Sequence, residues 1–275
     1  MMHSRDHSRL ADALLAAVLS AGDAILHHRR AGVAVETKSD ASPLTAADRE
    51  AEAIIMNALA TAEPGVPVVA EEAASAGALP AIGAAFFLVD PLDGTREFVA
   101  GSDDFTVNIG FVVDGVPQFG MIYAPALGRL FATTGTECAV EAALPPGASA
   151  SELAALRPEP IRTREPEPGR LTAVASRSHR TPDLEHFLTR LPVSEQKSIG
   201  SSLKFCLVAR GEADLYPRLG PTSEWDTAAG HAIVTAAGGA VTRLDGTPLT
   251  YGRASARYCN PDFVAWGRRS LLSLL

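Results

Sequence analysis

Residues 86–95 read Phe86-Phe87-Leu88-Val89-Asp90-Pro91-Leu92-Asp93-Gly94-Thr95. Four apolar residues in a row mark a buried strand, and that strand runs straight into an acid. Pro91 cannot continue a helix, and it biases Asp90 towards an extended conformation. Asp93 follows closely, so the two carboxylates are expected on a tight turn at a strand end, both able to face one point. Gly94 then permits close backbone approach. Thr95 can open a helix whose free N–H groups receive an anion. Taken alone, the stretch also suits an Asp-rich turn with a capping Asp.

Two other segments repeat the theme. Val68-Val69-Ala70-Glu71-Glu72 is a second apolar strand ending in acids, and Trp225-Asp226-Thr227-Ala228-Ala229-Gly230 puts an Asp at a helix start. For Asp226 by itself, the commoner role is that of an N-cap. Should these acids meet, two unit charges about 4 Å apart repel by roughly 4 kcal/mol at an effective dielectric of 20. Such a cluster must protonate in part or recruit a cation. A donor set of oxygens without His or Cys selects a hard ion, Mg²⁺ before Zn²⁺. Spacing along the chain does not decide whether the acids converge.

Outward from these segments, residues 8–30 carry Leu10, Leu14, Ala17, Val18, Ala21 and Ile25 at helical spacing, and Gly32 follows as a stop. Thr45 with Asp48 resembles a capping box for a second helix that buries Ala51, Ile54, Ile55 and Leu59. Strand-like runs fall at 66–70, 86–90, 105–113 and 118–123, with Asp114-Gly115 as a hairpin turn. Residues 144–169 hold six of the 19 prolines and read as a surface excursion or linker. Beyond them, strands near 171–175, 193–197 and 214–216 alternate with helices near 182–191, from 202, and over 227–237. Helices flanking sheets in both halves predict a layered architecture, α+β over 1–143 and α/β over 170–275. The first part carries most of the candidate metal ligands, and the second carries Asp226.

The chain has 275 residues, 47% of them hydrophobic and 20% charged, which is globular composition. A net charge of −8 argues against nucleic acid as a partner, and no basic stripe is present. A phosphate ligand must therefore meet local positive charge from metals or a few Lys and Arg. The three cysteines are scattered and show no CxxC spacing, against a disulfide framework or structural zinc. The N-terminus has no apolar core like that of a signal peptide, and no uninterrupted apolar run reaches the roughly 18 residues that span a bilayer. A reduced, cytoplasmic enzyme is expected.

With Glu71-Glu72, then Asp-Pro-Leu-Asp-Gly-Thr at 90–95, then Trp225-Asp226 before a late helix, the chain resembles the lithium-sensitive, inositol-monophosphatase-like superfamily. Ser42-Pro43-Leu44-Thr45-Ala46-Ala47-Asp48 and Phe105-Thr106-Val107-Asn108-Ile109 belong to the same likeness. Within it, Ser176-Arg177-Ser178-His179, the run from Gly200 to Ala209, and Leu215-Tyr216-Pro217-Arg218 resemble bacterial 3′(2′),5′-bisphosphate nucleotidases of the CysQ type. The resemblance implies a layered αβαβα sandwich of the inositol monophosphatase / fructose-1,6-bisphosphatase type. It also implies magnesium bound by Glu71, Asp90 and the Leu92 carbonyl, and a second ion bound by Asp90, Asp93 and Asp226. There is room for a third near Glu71 or Glu72. Asp48 and Thr95 become the pair that takes a proton from the attacking water, with Glu71 helping to position it.

The substrate implied is adenosine 3′,5′-bisphosphate, cleaved to AMP and phosphate in sulfur assimilation or nucleotide recycling. Its scissile phosphate would rest among Glu71, Leu92, Asp93, Gly94, Thr95 and Asp226. Lys204 and Arg218 would meet the remote phosphate, and Ser176, His179 and Gly200 the nucleotide portion. Read without the resemblance, Lys204 and Arg218 equally suit solvated surface charges, and His179 a helix start. Trp225 and Phe205 read as core. An inositol monophosphatase or related sugar phosphatase would share the metal centre, and a non-catalytic phosphate-binding protein would share the scaffold. Either a monomer or a homodimer is compatible with the sequence, and the likeness also admits peripheral attachment at the inner membrane.

Overall fold

The computed structural model describes residues 4–32, 35–37, 43–167, 169–176 and 180–275. Helix α1 (Ser4–Ala31) precedes an antiparallel pair, β1 (Val35–Thr37) and β2 (Pro43–Thr45). Then come α2 (Ala46–Ala62), β3 (Val68–Ala70), α3 (Glu71–Ser75), β4 (Ala85–Asp93) and α4 (Thr95–Val99). The sheet continues through β5 (Thr106–Val113), β6 (Val116–Ala124), β7 (Arg129–Gly135) and β8 (Cys138–Ala143), and after α5 (Ala150–Ala154) it ends at β9 (Glu159–Ile161). The second half comprises β10 (Leu171–Ser176), α6 (Pro182–Thr189), β11 (Val193–Ile199), α7 (Leu203–Ala209) and β12 (Leu215–Arg218). It closes with α8 (Ala228–Ala236), β13 (Ala240–Arg243) and β14 (Phe263–Trp266).

Strands β3 to β9 form a seven-stranded sheet in chain order, parallel at β3–β4 and antiparallel elsewhere. The second sheet has the order β11-β10-β12-β14-β13. Its β10 is parallel to both neighbours, because α6 and α7 carry the chain back across the sheet.

The apolar run 86–89 explains the layering. Phe87 and Val89 face α1 and α2, in a core with Leu14, Val18, Ile25 and Ile55. Phe86 and Leu88 face the other way, towards Phe205, Val208 and Ile233 of α7 and α8 and on to Tyr216 and Phe263 of the second sheet. A strand buried on both faces reads as a continuous hydrophobic run rather than an alternation. On the far side, Leu184, Leu188 and Leu271 cover Ala173, Leu215 and Trp266. The order helix, sheet, helix, sheet, helix is the layered αβαβα sandwich expected.

Three expectations are corrected. Part of the 144–169 stretch is neither excursion nor linker: β9 pairs with β8, so the large sheet runs on to Ile161, while residues 145–158 lie largely at the surface. Pro160 is tolerated because β9 is an edge strand, where a missing N–H costs no ladder bond. The 90–93 segment is not a turn either, since β4 continues to Asp93. Finally, α1 does have the length and mean hydropathy to cross a membrane, although charged residues interrupt every apolar run. In this fold its stripe of Leu10, Leu14, Val18, Ala21 and Ile25 is buried against α2 and the sheet. No described feature supports peripheral attachment. Strands β7, β8, β13 and β14 were not anticipated.

Candidate active site

The bulge in β4 is what puts two acids on one face. Asp90 pairs with Asn108 and Asp93 with Thr106, so three steps along β4 match two along β5. In a regular strand, residues three apart point to opposite faces, and one extra residue restores them to the same side. Pro91 sits inside the bulge, where its lack of an N–H is harmless. The Leu92 N–H then donates to Asp90 Oδ1 at 3.0 Å, fixing that carboxylate. Glu71 arrives next to Asp90 because β3 is parallel to β4, with Ala70 opposite Val89.

Asp226 reaches the same place from far along the chain. Gly110 and Gly120 are register partners on β5 and β6. A Cβ on Gly110 would stand 2.7 Å from Ala228 Cβ, and one on Gly120 would stand 2.1 Å from the Ala229 carbonyl oxygen. The glycine pair is thus a shallow seat for the first turn of α8. Asp226 ends the single 3₁₀ turn just before that helix, and its carboxylate accepts from the Ser223 N–H at 2.9 Å. It is therefore not the N-cap of α8, a position held by Thr227. The buried Glu224 beside it accepts from the N–H groups of Gly252 and Arg253 at 2.7 and 2.9 Å. The Asn260 amide donates to Thr222, Ser223 and Thr227. Sequence reading missed both clamps.

These segments enclose a cavity of about 300 Å³ whose lining includes the acids Glu71, Asp90, Asp93 and Asp226 together with Lys204, Tyr216, Arg218 and Ser176. Burial, then the neighbouring Glu71, Asp93 and Asp226, push Asp90 well above the ordinary carboxylate range. Asp226 is pushed up to about 8, by burial first and then by Asp93 and Glu71. Asp93 rises to about 6 through burial, held down in part by Lys204 and by its hydrogen bond from Asn108. Burial brings Lys204 down to about 8 against the pull of Asp93. Its ammonium lies 5.5 Å above the Tyr216 ring and donates to the Ser201 carbonyl. Arg218 is 8% exposed and donates to the Pro221 carbonyl, while its buried Nε has no protein partner.

Asp48 performs the predicted cap. One of its oxygens accepts from both the N–H and the hydroxyl of Thr45, at 2.7 and 2.6 Å. The other lies 3.4 Å from the Thr95 hydroxyl, which is also 3.1 Å from the Leu92 carbonyl oxygen. Gly94 has φ +92°, and a Cβ there would meet the Asp104 carbonyl oxygen at 2.9 Å, so only glycine fits. Helix α4 is a single turn of five residues.

Not every candidate lies at the cavity wall. Glu72 is buried behind Glu71, with its N–H donating to Glu52. Gly200 stands behind the wall, where a Cβ would meet Glu97 Cγ at 2.7 Å and the Asp104 carbonyl oxygen at 2.8 Å. His179 lies outside the described residues. Phe205 is core, yet its ring borders the cavity, and Trp225 packs near Tyr258. Arg96, Ser201, Ser202 and Cys259 also line the cavity without having been singled out. Thr106 and Asn108 left a signal: polar residues two apart in an apolar run share one face of a strand.

The donor chemistry fits magnesium. Asp90, Asp93 and Asp226 are oxygen donors held where burial disfavours their charge, which a divalent cation reverses. Among the described residues no three His, Cys, Asp or Glu side chains are gathered tightly enough to hold an ion unaided. A donor set of oxygens without His or Cys favours a hard ion over zinc. Magnesium keeps several waters and takes one or two carboxylates with phosphate oxygens.

Comparison with known proteins bears on the chain as a whole. The sequence model of the Inositol monophosphatase family matches residues 6–270. The chain is 41% identical over 246 residues to the 3′(2′),5′-bisphosphate nucleotidase CysQ of Escherichia coli (strain K12), covering 89% of this chain and 94% of that one. It is 36% identical over 260 residues to the protein of the same name from Buchnera aphidicola, covering 94% and 93%. Among solved structures, CysQ from Bacteroides thetaiotaomicron superposes with a TM-score of 0.77 at 37% identity, over 94% of this chain and 97% of that one. An inositol monophosphatase from Thermotoga maritima shares the fold, with a TM-score of 0.71 at 22% identity over 94% and 93%.

Proposed function

Since the chain belongs to the inositol monophosphatase family, we propose that it is a phosphoric monoester hydrolase that removes the 3′-phosphate of adenosine 3′,5′-bisphosphate, giving AMP and phosphate. The observation that carries this reading is a single cavity lined both by the cluster of acids and by two cations, Lys204 and Arg218, the second with an unmatched Nε. A substrate with one phosphate would leave that buried Nε without a partner, at a cost of about 1–3 kcal/mol. A bisphosphate satisfies both sets. The identity to CysQ proteins supports the same choice.

Glu71, Asp90, the Leu92 carbonyl, Asp93 and Asp226 are the groups that would hold magnesium. When bound, it would neutralise phosphoryl charge and acidify a water. The protein's own part is positioning and proton transfer. Thr95 presents its hydroxyl oxygen to the attacking water, takes a proton from it, and passes its own proton to Asp48 Oδ1. Asp48 suits that task because its second oxygen is already committed to the cap of α2. Glu71 orients the water. The backbone at Gly94 and Thr95 borders the scissile phosphate, and Ser176 the nucleotide.

Hydrolysis of adenosine 3′,5′-bisphosphate should require Mg²⁺, stop with a chelator, and exceed that of inositol 1-phosphate at least tenfold in kcat/KM. A preference for inositol 1-phosphate would overturn the substrate assignment, and full turnover in chelator would overturn the metal assignment.

A further inference from the structure

Behind Asp93 lies a buried chain of hydrogen bonds that no step above uses. The Thr106 and Ser202 hydroxyls are 2.8 Å apart, and the Ser202 hydroxyl donates to Asn108 Oδ1 at 2.7 Å. The Asn108 amide nitrogen in turn donates to Asp93 Oδ2 at 3.3 Å. Thr106 and Asn108 are fully buried, and Ser202, at the cavity wall, is 2% exposed.

The direction of this chain follows from counting protons. A serine hydroxyl has one hydrogen, and here it goes to Asn108. The bond to Thr106 must therefore be donated by Thr106. With its oxygen engaged, the Asn108 amide can offer Asp93 only N–H. The flipped amide would set a carbonyl oxygen against a carboxylate, which is repulsive. Two halves of the chain meet here: Thr106 and Asn108 belong to β5 of the large sheet, and Ser202 stands at the start of α7.

We propose that Thr106, Ser202 and Asn108 form a one-way hydrogen-bond relay. Asn108 is the positioning residue that aims Asp93 at the metal, and Ser202 is the residue that keeps Asn108 from turning over. The inference rests on the reading of Asp93 as a magnesium ligand. Loss of an outer-shell partner of this kind costs about 10- to 100-fold in metal affinity.

The experiment is calorimetric titration of Mg²⁺ into the substrate-free protein, with circular dichroism to verify folding. Ser202→Ala should weaken Mg²⁺ binding about tenfold, whereas Ser202→Thr, which keeps the hydroxyl, should stay within about threefold of the wild type. The Asn108→Ala, Ser202→Ala double variant should bind no worse than Asn108→Ala alone, because Ser202 acts only through Asn108. Unchanged affinity in folded Ser202→Ala overturns the relay and leaves the metal site standing. Additive losses overturn it as well. If Ser202→Ala does not fold, a tenfold weakening in folded Ser202→Thr, which keeps the hydroxyl, counts against the relay. A wild-type protein that binds no Mg²⁺ removes both the relay and the metal assignment.

Discussion

Among the acids of the cavity, each carboxylate stands where a strand or turn packed on the large sheet runs out: Glu71 after β3, Asp90 and Asp93 across the bulge of β4, Asp226 before α8. Its cations, Lys204 and Arg218, come from α7 and β12 in the second half of the chain. Burial acts on the two sets with opposite sign. It lifts Asp93 to about 6 and Asp226 to about 8, and it lowers Lys204 to about 8. Each set is held in a state that an added charge would relieve, a cation for one and a phosphate for the other. The folded chain is thus complementary to a metal-bound bisphosphate rather than to itself.

The largest effect that would test this contrast belongs to the acids. Asp90→Asn should lower Mg²⁺-dependent turnover by more than about 100-fold, beyond the loss expected for an outer-shell partner. With the crowding of charge relieved, the metal-free variant should melt higher than the metal-free wild type. Near-normal phosphate release from this variant would show that Asp90 is no ligand.

The cations should respond differently. Arg218→Ala removes charge-assisted bonds worth about 1.5–3 kcal/mol, or roughly 10- to 100-fold. That loss should fall on adenosine 3′,5′-bisphosphate and leave a substrate with a single phosphate nearly untouched, as a comparison of kcat/KM would reveal. Equal losses on both would merge the two sets into one.

A smaller effect joins them through packing. Gly120→Ala would thrust a methyl group against the Ala229 carbonyl, 2.1 Å from an ideal Cβ. Overpacking of this kind costs about 1–3 kcal/mol. The unfolding midpoint in denaturant should drop, and Mg²⁺ affinity with it, because α8 carries the segment that positions Asp226. An unshifted affinity would show that Asp226 is placed independently of the seat.

The smallest effect is one of pH. In the metal-free protein the raised acids favour folding while protonated, so stability should decline as pH climbs from about 4 through the folded values of about 6 and 8. Lys204 works the other way. Its folded value of about 8 lies below the ordinary 10.5, so the cost of burying its charge is lifted as pH rises across that interval. Thermal melts should therefore show an acid limb that saturating Mg²⁺ flattens and an alkaline limb that it leaves in place. An acid limb unaltered by Mg²⁺ would detach the acids from the metal.

Much of this was legible in one dimension, and the exceptions share a cause. The long helix, the Thr45 cap and the strand into Asp90 each carry a local signal, apolar period or cap chemistry. The bulge at Pro91 left an ambiguous one, since a proline between acids suits a turn as well as a kinked strand. Edge strand β9 was hidden by Pro160, which an edge tolerates but a central strand does not. Ser202 and Asn260 looked like ordinary polar residues, because nothing near them in the chain says what they touch.

By itself the sequence determined which residue types could do the chemistry, acids at strand ends and an oxygen-only donor set, because strand period and turn preference are properties of neighbours along the chain. Only the tertiary structure decided that Glu71, Asp90, Asp93 and Asp226 share one cavity with Lys204 and Arg218. Convergence depends on sheet register and on how closely α8 may approach a pair of glycines, and both are settled by packing between segments more than a hundred residues apart.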